Sequence, residues 1–68
     1  MLQVKEFFAE NRIPSNYEIQ EAIDIAKEEN CVVKLTWFIN YNGYHHIYIN
    51  KDMTLEECVA KIPRRYGV

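Results

Sequence analysis

Two capping boxes flank the middle of the chain and limit what it can fold into. Ser15-Asn16-Tyr17-Glu18 places a hydroxyl at an N-cap and a carboxylate three positions on, and Thr54-Leu55-Glu56-Glu57 repeats the pattern. Each box opens an apolar stripe at helical spacing. The first carries Ile19, Ala22, Ile23 and Ala26; the second carries Leu55, Cys58, Val59 and Ile62. Pro14 and Ile19 fall at the positions of a hydrophobic staple, and Asn30 suits the left-handed turn that ends the first helix. Pro63 stops the second helix.

Between these helices, residues 31–50 change character. Val, Ile, Thr, Trp, Phe and Tyr dominate, and Asn42-Gly43 punctuates them, which predicts a β-hairpin. Loop length decides which side chains share a face. A two-residue Asn42-Gly43 turn pairs Tyr41 with Tyr44 and Trp37 with Tyr48, and mixes apolar and polar residues on both faces. A three-residue loop, Tyr41-Asn42-Gly43 with Gly43 left-handed in a bulge, pairs Asn40 with Tyr44. That register collects Val33, Leu35, Trp37, Ile39, Ile47 and Ile49 on one face. Lys34, Thr36, Phe38, Asn40, Tyr44, His46 and Tyr48 fall on the other. A sheet covered on one side needs one clean apolar face, so the three-residue loop is preferred.

At the N-terminus, Met1, Val4, Phe7 and Phe8 lie at helical spacing and predict a short amphipathic helix ending near Asn11, broken by Ile13-Pro14. The expected order is therefore α-α-β-β-α. This is a small α+β domain spanning residues 1–68, an antiparallel hairpin with helices packed on one face. A lone hairpin is marginal in water, so helix packing or a strand from another chain must support it.

The chain has 68 residues, and a domain of that size buries only roughly 60% of its unfolded surface, which leaves no room for a large cofactor pocket. Cys31 and Cys58 sit in apolar patterns and read as small core hydrophobes rather than a disulfide. The first residues lack a basic, apolar leader, and no apolar run approaches the roughly 18 residues of a membrane span, so a cytoplasmic protein without membrane contact is expected. Formal net charge is −2, and it is unevenly distributed. Residues 1–30 hold seven acids against three bases, net −4, while residues 31–68 hold five bases against three acids, net +2.

No catalytic or metal constellation emerges from these residues. His45 and His46 are adjacent in a strand and point to opposite faces, so they do not chelate one ion, and no CxxC or HxxxH spacing exists. Cys58 lies in the first turns of a capped helix without a base beside it. Glu28-Glu29 and Glu56-Glu57 diverge on their helices, and Gly43 and Gly67 are too isolated to cradle phosphate. A non-enzymatic protein without a cofactor is expected.

Two candidate binding surfaces remain. The outer hairpin face carries Phe38, Tyr44, His46 and Tyr48, which serve either cross-strand packing or contact with a partner. The first capped helix carries Tyr17, Glu21, Asp24 and Glu28 at i, i+4, i+7 and i+11, either a solvated face or an acidic strip for a basic partner. A second reading is single-stranded nucleic-acid binding, with Phe38, Tyr44 and Tyr48 stacking on bases and Lys34, Lys51, Arg64 and Arg65 on phosphates. A third is a dimeric small-ligand or nucleotide binder.

The run Tyr17-Glu18-Ile19-Gln20-Glu21-Ala22-Ile23, the Trp37-Phe38 hairpin and the segment Thr54-Leu55-Glu56-Glu57-Cys58 through Ile62-Pro63 cover most of the chain. Together they resemble the small proteins carried by phages and prophages of Gram-positive bacteria. Such proteins include inhibitors of host defence, anti-CRISPR proteins among them. The resemblance implies an inhibitor of a host protein; the acidic stripe and the aromatic sheet face, read from the residues themselves, are the surfaces expected to dock it, on a nucleic-acid-handling protein among the candidates. A homodimer formed through the sheet is a further expectation.

Overall fold

Ser15 starts the first helix as its capping box requires. In the computed structural model, which describes residues 3–9, 12–39 and 43–63, the Ser15 hydroxyl accepts from the Glu18 backbone N–H at 3.3 Å. The Glu18 carboxylate in turn accepts from the Ser15 N–H at 3.0 Å. The helix α1 spans Asn16–Glu29 and ends at Asn30, whose φ of 49° is left-handed and lets its N–H reach the Ala26 carbonyl. Ile19, Ala22, Ile23 and Ala26 are all buried, so the apolar stripe is the packed face. A second helix, α2, spans Leu55–Lys61 with the Thr54–Glu57 box closed in both directions. Cys58 and Ile62 of its stripe are buried, and Leu55 and Val59 are half-buried against the same core.

The N-terminal segment departs from expectation. Val4–Phe8 is a strand, β1, not a helix. It runs parallel to β2, Val32–Ile39, which pairs antiparallel with β3, Gly43–Ile49, in a sheet of order β1-β2-β3. The element order is β-α-β-β-α, and α1 is the crossover that a parallel pair needs. The physical reason is the open edge of β2, whose backbone groups need partners. The first strand supplies them, extended at its ends by Val32 N–H to the Gln3 carbonyl at 2.9 Å and Ala9 N–H to the Thr36 carbonyl at 2.8 Å. Val4, Phe7 and Phe8 favour a strand as readily as a helix, and tertiary pairing decides between them. The hairpin thus gains its third strand from its own chain.

The hairpin register also differs from the expected one. Phe38 pairs with Tyr44, and Ile39 with Gly43, where Asn40 was expected opposite Tyr44. The slide is two residues, an even step, so every side chain keeps its predicted face. Gly43 does adopt a positive φ of 78°, but as the first residue of β3. The loop residues 40–42, and with them the Asn40 position on the outer face, lie outside the described residues.

Both helices pack on one side of the sheet. Val33, Leu35, Trp37 and Ile49 point into that layer at 1% exposure or less, with Phe7 and Ile47 completing a row across Leu35. His45 lies in the same layer and stacks on Trp37, ring centroids 6.2 Å apart. At the sheet margin Lys5 bridges to Glu29 of α1 at 2.6 Å, with both side chains half-exposed. Trp37 is the largest fully buried side chain. Trp37→Ala is therefore expected to cost about 3–5 kcal/mol, most of the stability of a domain this small. Tyr44→Ser, on the exposed face, should shift it by less than about 1 kcal/mol. Urea unfolding followed by circular dichroism measures both.

Candidate functional site

A parallel and an antiparallel pairing place three strands' side chains in common rows, so the outer face can be read across the sheet. Val4 lies beside Val32. Glu6, Lys34 and Tyr48 form the next row, and Phe8, Thr36 and His46 the next. Phe38 and Tyr44 follow. The described residues include five large apolar side chains that are exposed, and four of them sit here: Val4 at 56%, Phe8 at 62%, Tyr44 at 71% and Tyr48 at 50%. Phe38 and Tyr44 are tilted against each other with centroids 5.0 Å apart, and His46 meets Tyr48 edge-on at 5.3 Å. These contacts hold the rings in place without covering them.

The predicted sheet-face residues Phe38, Tyr44, His46 and Tyr48 thus share one surface, as their alternation implies. Val4 and Phe8 belong to it as well, although helical spacing had assigned them elsewhere. No alternation announced them: Val4, Glu6 and Phe8 on one face and Lys5, Phe7 and Ala9 on the other are each two apolar residues and one charge.

Thr36, at the centre of this face, is 7% exposed, and its Oγ1 has no hydrogen-bond partner among the described residues. A buried, unsatisfied hydroxyl opposes folding. Its backbone carbonyl is satisfied by Ala9, so the deficit is confined to the side chain.

The acidic stripe lies on the other layer. Tyr17, Glu21 and Asp24 line an open cleft of about 410 Å³ with Asn16, Gln20 and Leu55, the last contributed by the first turn of α2. Gln20 donates to Asp24 Oδ1 at 3.0 Å, orienting one carboxylate. Glu28 continues the stripe as an exposed residue and does not line the cleft. The stripe therefore runs along the flank of α1 that meets α2, and Tyr17, 85% exposed, stands at the cleft as the fifth exposed apolar side chain. The two predicted surfaces belong to opposite layers, so they form separate sites.

Of the basic residues named for nucleic-acid contact, the two described ones, Lys34 and Lys51, lie apart. Lys34 lies on the aromatic face beside Glu6 and Tyr48. Lys51 occupies the turn after β3 and donates to Asn30 Oδ1 at 2.9 Å. Arg64 and Arg65 lie outside the described residues. Among the described residues no group of three or more His, Cys, Asp and Glu side chains is placed to hold a metal ion, and no helix is long and apolar enough to cross a membrane.

Cys31 and Cys58 are both buried, free thiols. Burial pushes the Cys58 thiol above its ordinary value; the Glu57 carboxylate adds to the shift and Lys61 opposes it. Desolvation in the core therefore favours the neutral thiol of Cys58 over the thiolate that a helix start favours. No family model, curated protein or solved structure matches the chain.

Two outcomes follow from these environments. A raised thiol value stabilises the fold below the unfolded value and is lost as pH rises through the folded one. Cys58 should accordingly label slowly with a thiol reagent at pH 8 and rapidly once urea unfolds the chain, and labelling at the unfolded rate in native buffer would contradict its burial. Thr36→Val should raise stability by about 1 kcal/mol in urea unfolding, because it removes the unsatisfied hydroxyl at nearly constant volume.

Proposed function

We propose that the chain is a non-enzymatic protein-interaction module, an inhibitor of the type that phages direct against host proteins. The observation that supports this reading is the gathering of four exposed large apolar side chains on one sheet face of a 68-residue chain. A patch of three rings and a valine, with on the order of 450 Å² exposed, is of the size that contact surfaces present. Tyrosine and phenylalanine bring rigid area to a contact at small entropic cost.

The acidic cleft on the helical layer adds a second element. Glu21 and Asp24 beside Tyr17 form a mouth that suits a lysine or arginine side chain, with the ring available to the cation's face. Such a surface attracts a basic groove, the kind of site with which a host protein handles nucleic acid, and charge complementarity speeds the encounter. Direct nucleic-acid binding is the weaker reading, since among the described bases only Lys34 joins the rings and Glu6 stands beside it.

The test is affinity capture from bacterial lysate, comparing the wild type with a Glu21→Lys/Asp24→Lys/Glu28→Lys variant and a Phe8→Ser/Tyr44→Ser variant. One defined host protein should bind the wild type and be lost from the acidic-stripe variant, with binding to the wild type weakening as salt rises. Equal recovery of every protein by all three chains would sink the reading.

A further inference from the structure

We infer that β3, an edge strand of the three-stranded sheet, adds antiparallel to β3 of a second copy about a two-fold axis at His46, giving one six-stranded sheet. The inference concerns the backbone of that edge, and it is independent of what docks on the aromatic face or in the acidic cleft.

The direction of each backbone group follows from the hydrogen bonds of β2. The Thr36 carbonyl accepts from Ala9 and the Val32 N–H donates to Gln3, so the even-numbered residues of β2 turn their backbone groups to β1. The odd-numbered ones turn to β3. Val33, Leu35, Trp37 and Ile39 thus make the hydrogen-bonded pairs with Ile49, Ile47, His45 and Gly43. Tyr44, His46 and Tyr48 are left with their N–H and carbonyl groups directed away from β2. None of these six groups has a backbone partner among the described residues. The next outward position, Asn50, is closed by its own turn: its N–H meets Met53 Sδ at 3.4 Å, and its carbonyl accepts from the Met53 N–H at 3.3 Å.

Edges of this kind are ordinarily protected by charge, proline or a covering element. The opposite edge strand, β1, carries Lys5 and Glu6. Over its seven residues β3 carries no formal charge and no proline, so nothing in it repels an added strand.

Symmetry selects the occupant. Three outward residues spaced by two read the same in both directions, so a copy running antiparallel satisfies all of them at once. His46 pairs with its counterpart, and each Tyr44 with Tyr48 of the other copy, which closes six backbone hydrogen bonds. A slip of two residues toward Asn50 closes only four, because the Asn50 groups are already taken. The side chains agree with the symmetric register. Tyr44 and Tyr48 become cross-strand neighbours on the outer face, and the half-buried His45 and Ile47 meet on the helical side. No formal charge meets another. The axis stands perpendicular to the sheet, so both copies keep their helices on one side and their aromatic faces join into one.

Addition along one edge buries less than a standard interface, so the dimer should be weak, with Kd on the order of 10–100 μM. Sedimentation equilibrium from about 20 to 500 μM should show a mass rising from 8.1 kDa toward twice that value. Over the same range, amide exchange at Tyr44, His46 and Tyr48 should slow by up to about tenfold as these N–H groups enter the ladder. His46→Pro deletes the central N–H without touching a bond to β2, and should leave a monomer with the wild-type circular dichroism spectrum. Should that variant not fold, Tyr44→Lys/Tyr48→Lys, at two exposed positions, should weaken the dimer at least about tenfold, and Tyr44→Glu/Tyr48→Lys should restore it. A wild type that is monomeric at about 500 μM overturns the inference. So does a dimer that survives His46→Pro or the double lysine exchange, one that forms without slowing these three amides, or full protection of the three in the dilute monomer.

Discussion

Everything in this fold follows from a sheet that is covered on one side only. Three strands present two faces, and two short helices suffice for one of them. The layer that contains Trp37, Leu35, Val33 and Ile49 takes both helices, and the core is complete there. Among the described residues no helix or strand covers the other face. There Val4, Phe8, Tyr44 and Tyr48 are exposed and Phe38 is half-buried.

The polar contacts reinforce that division. Lys5 projects to the helical layer at the sheet margin, where Glu29 receives it near the end of α1, and the shared hydrogen bond raises the Lys5 value. Lys51 closes the turn after β3 onto Asn30, tying the end of the hairpin to the end of the helix. Both contacts are solvent-exposed, and such pairs add little to stability. They join the C-terminal end of α1 to β1 and to the turn after β3, on the helical side of the sheet.

The sequence revealed the elements that rest on local chemistry. Both capping boxes, the Asn30 terminus and the inward direction of Trp37 could be read directly, because each depends on residues within a turn or a strand of one another. What escaped was non-local. Val4, Phe7 and Phe8 fit a helical spacing and show no strand alternation, and only pairing with β2, about 28 positions away in sequence, selects the strand. The hairpin register was misplaced by two residues for a related reason: face arithmetic fixes parity and is blind to even shifts. The aromatic surface was accordingly half-legible, its β3 portion correct and its β1 portion missing. The acidic stripe was legible as a periodicity, whereas its meeting with Leu55 depends on how α2 returns.

The recovered strand changes what the aromatic face can mean. With the hairpin alone, Lys34 stands among rings and suggests a phosphate contact. With β1 in place, Glu6 stands beside it, and the surface becomes one of paired opposite charges within an apolar surround. Pairs of that kind contribute little net energy at an interface, since desolvation offsets attraction, but they penalise every alignment that leaves them unmatched. Apolar rings provide adhesion without direction; the Glu6–Lys34 pair provides direction.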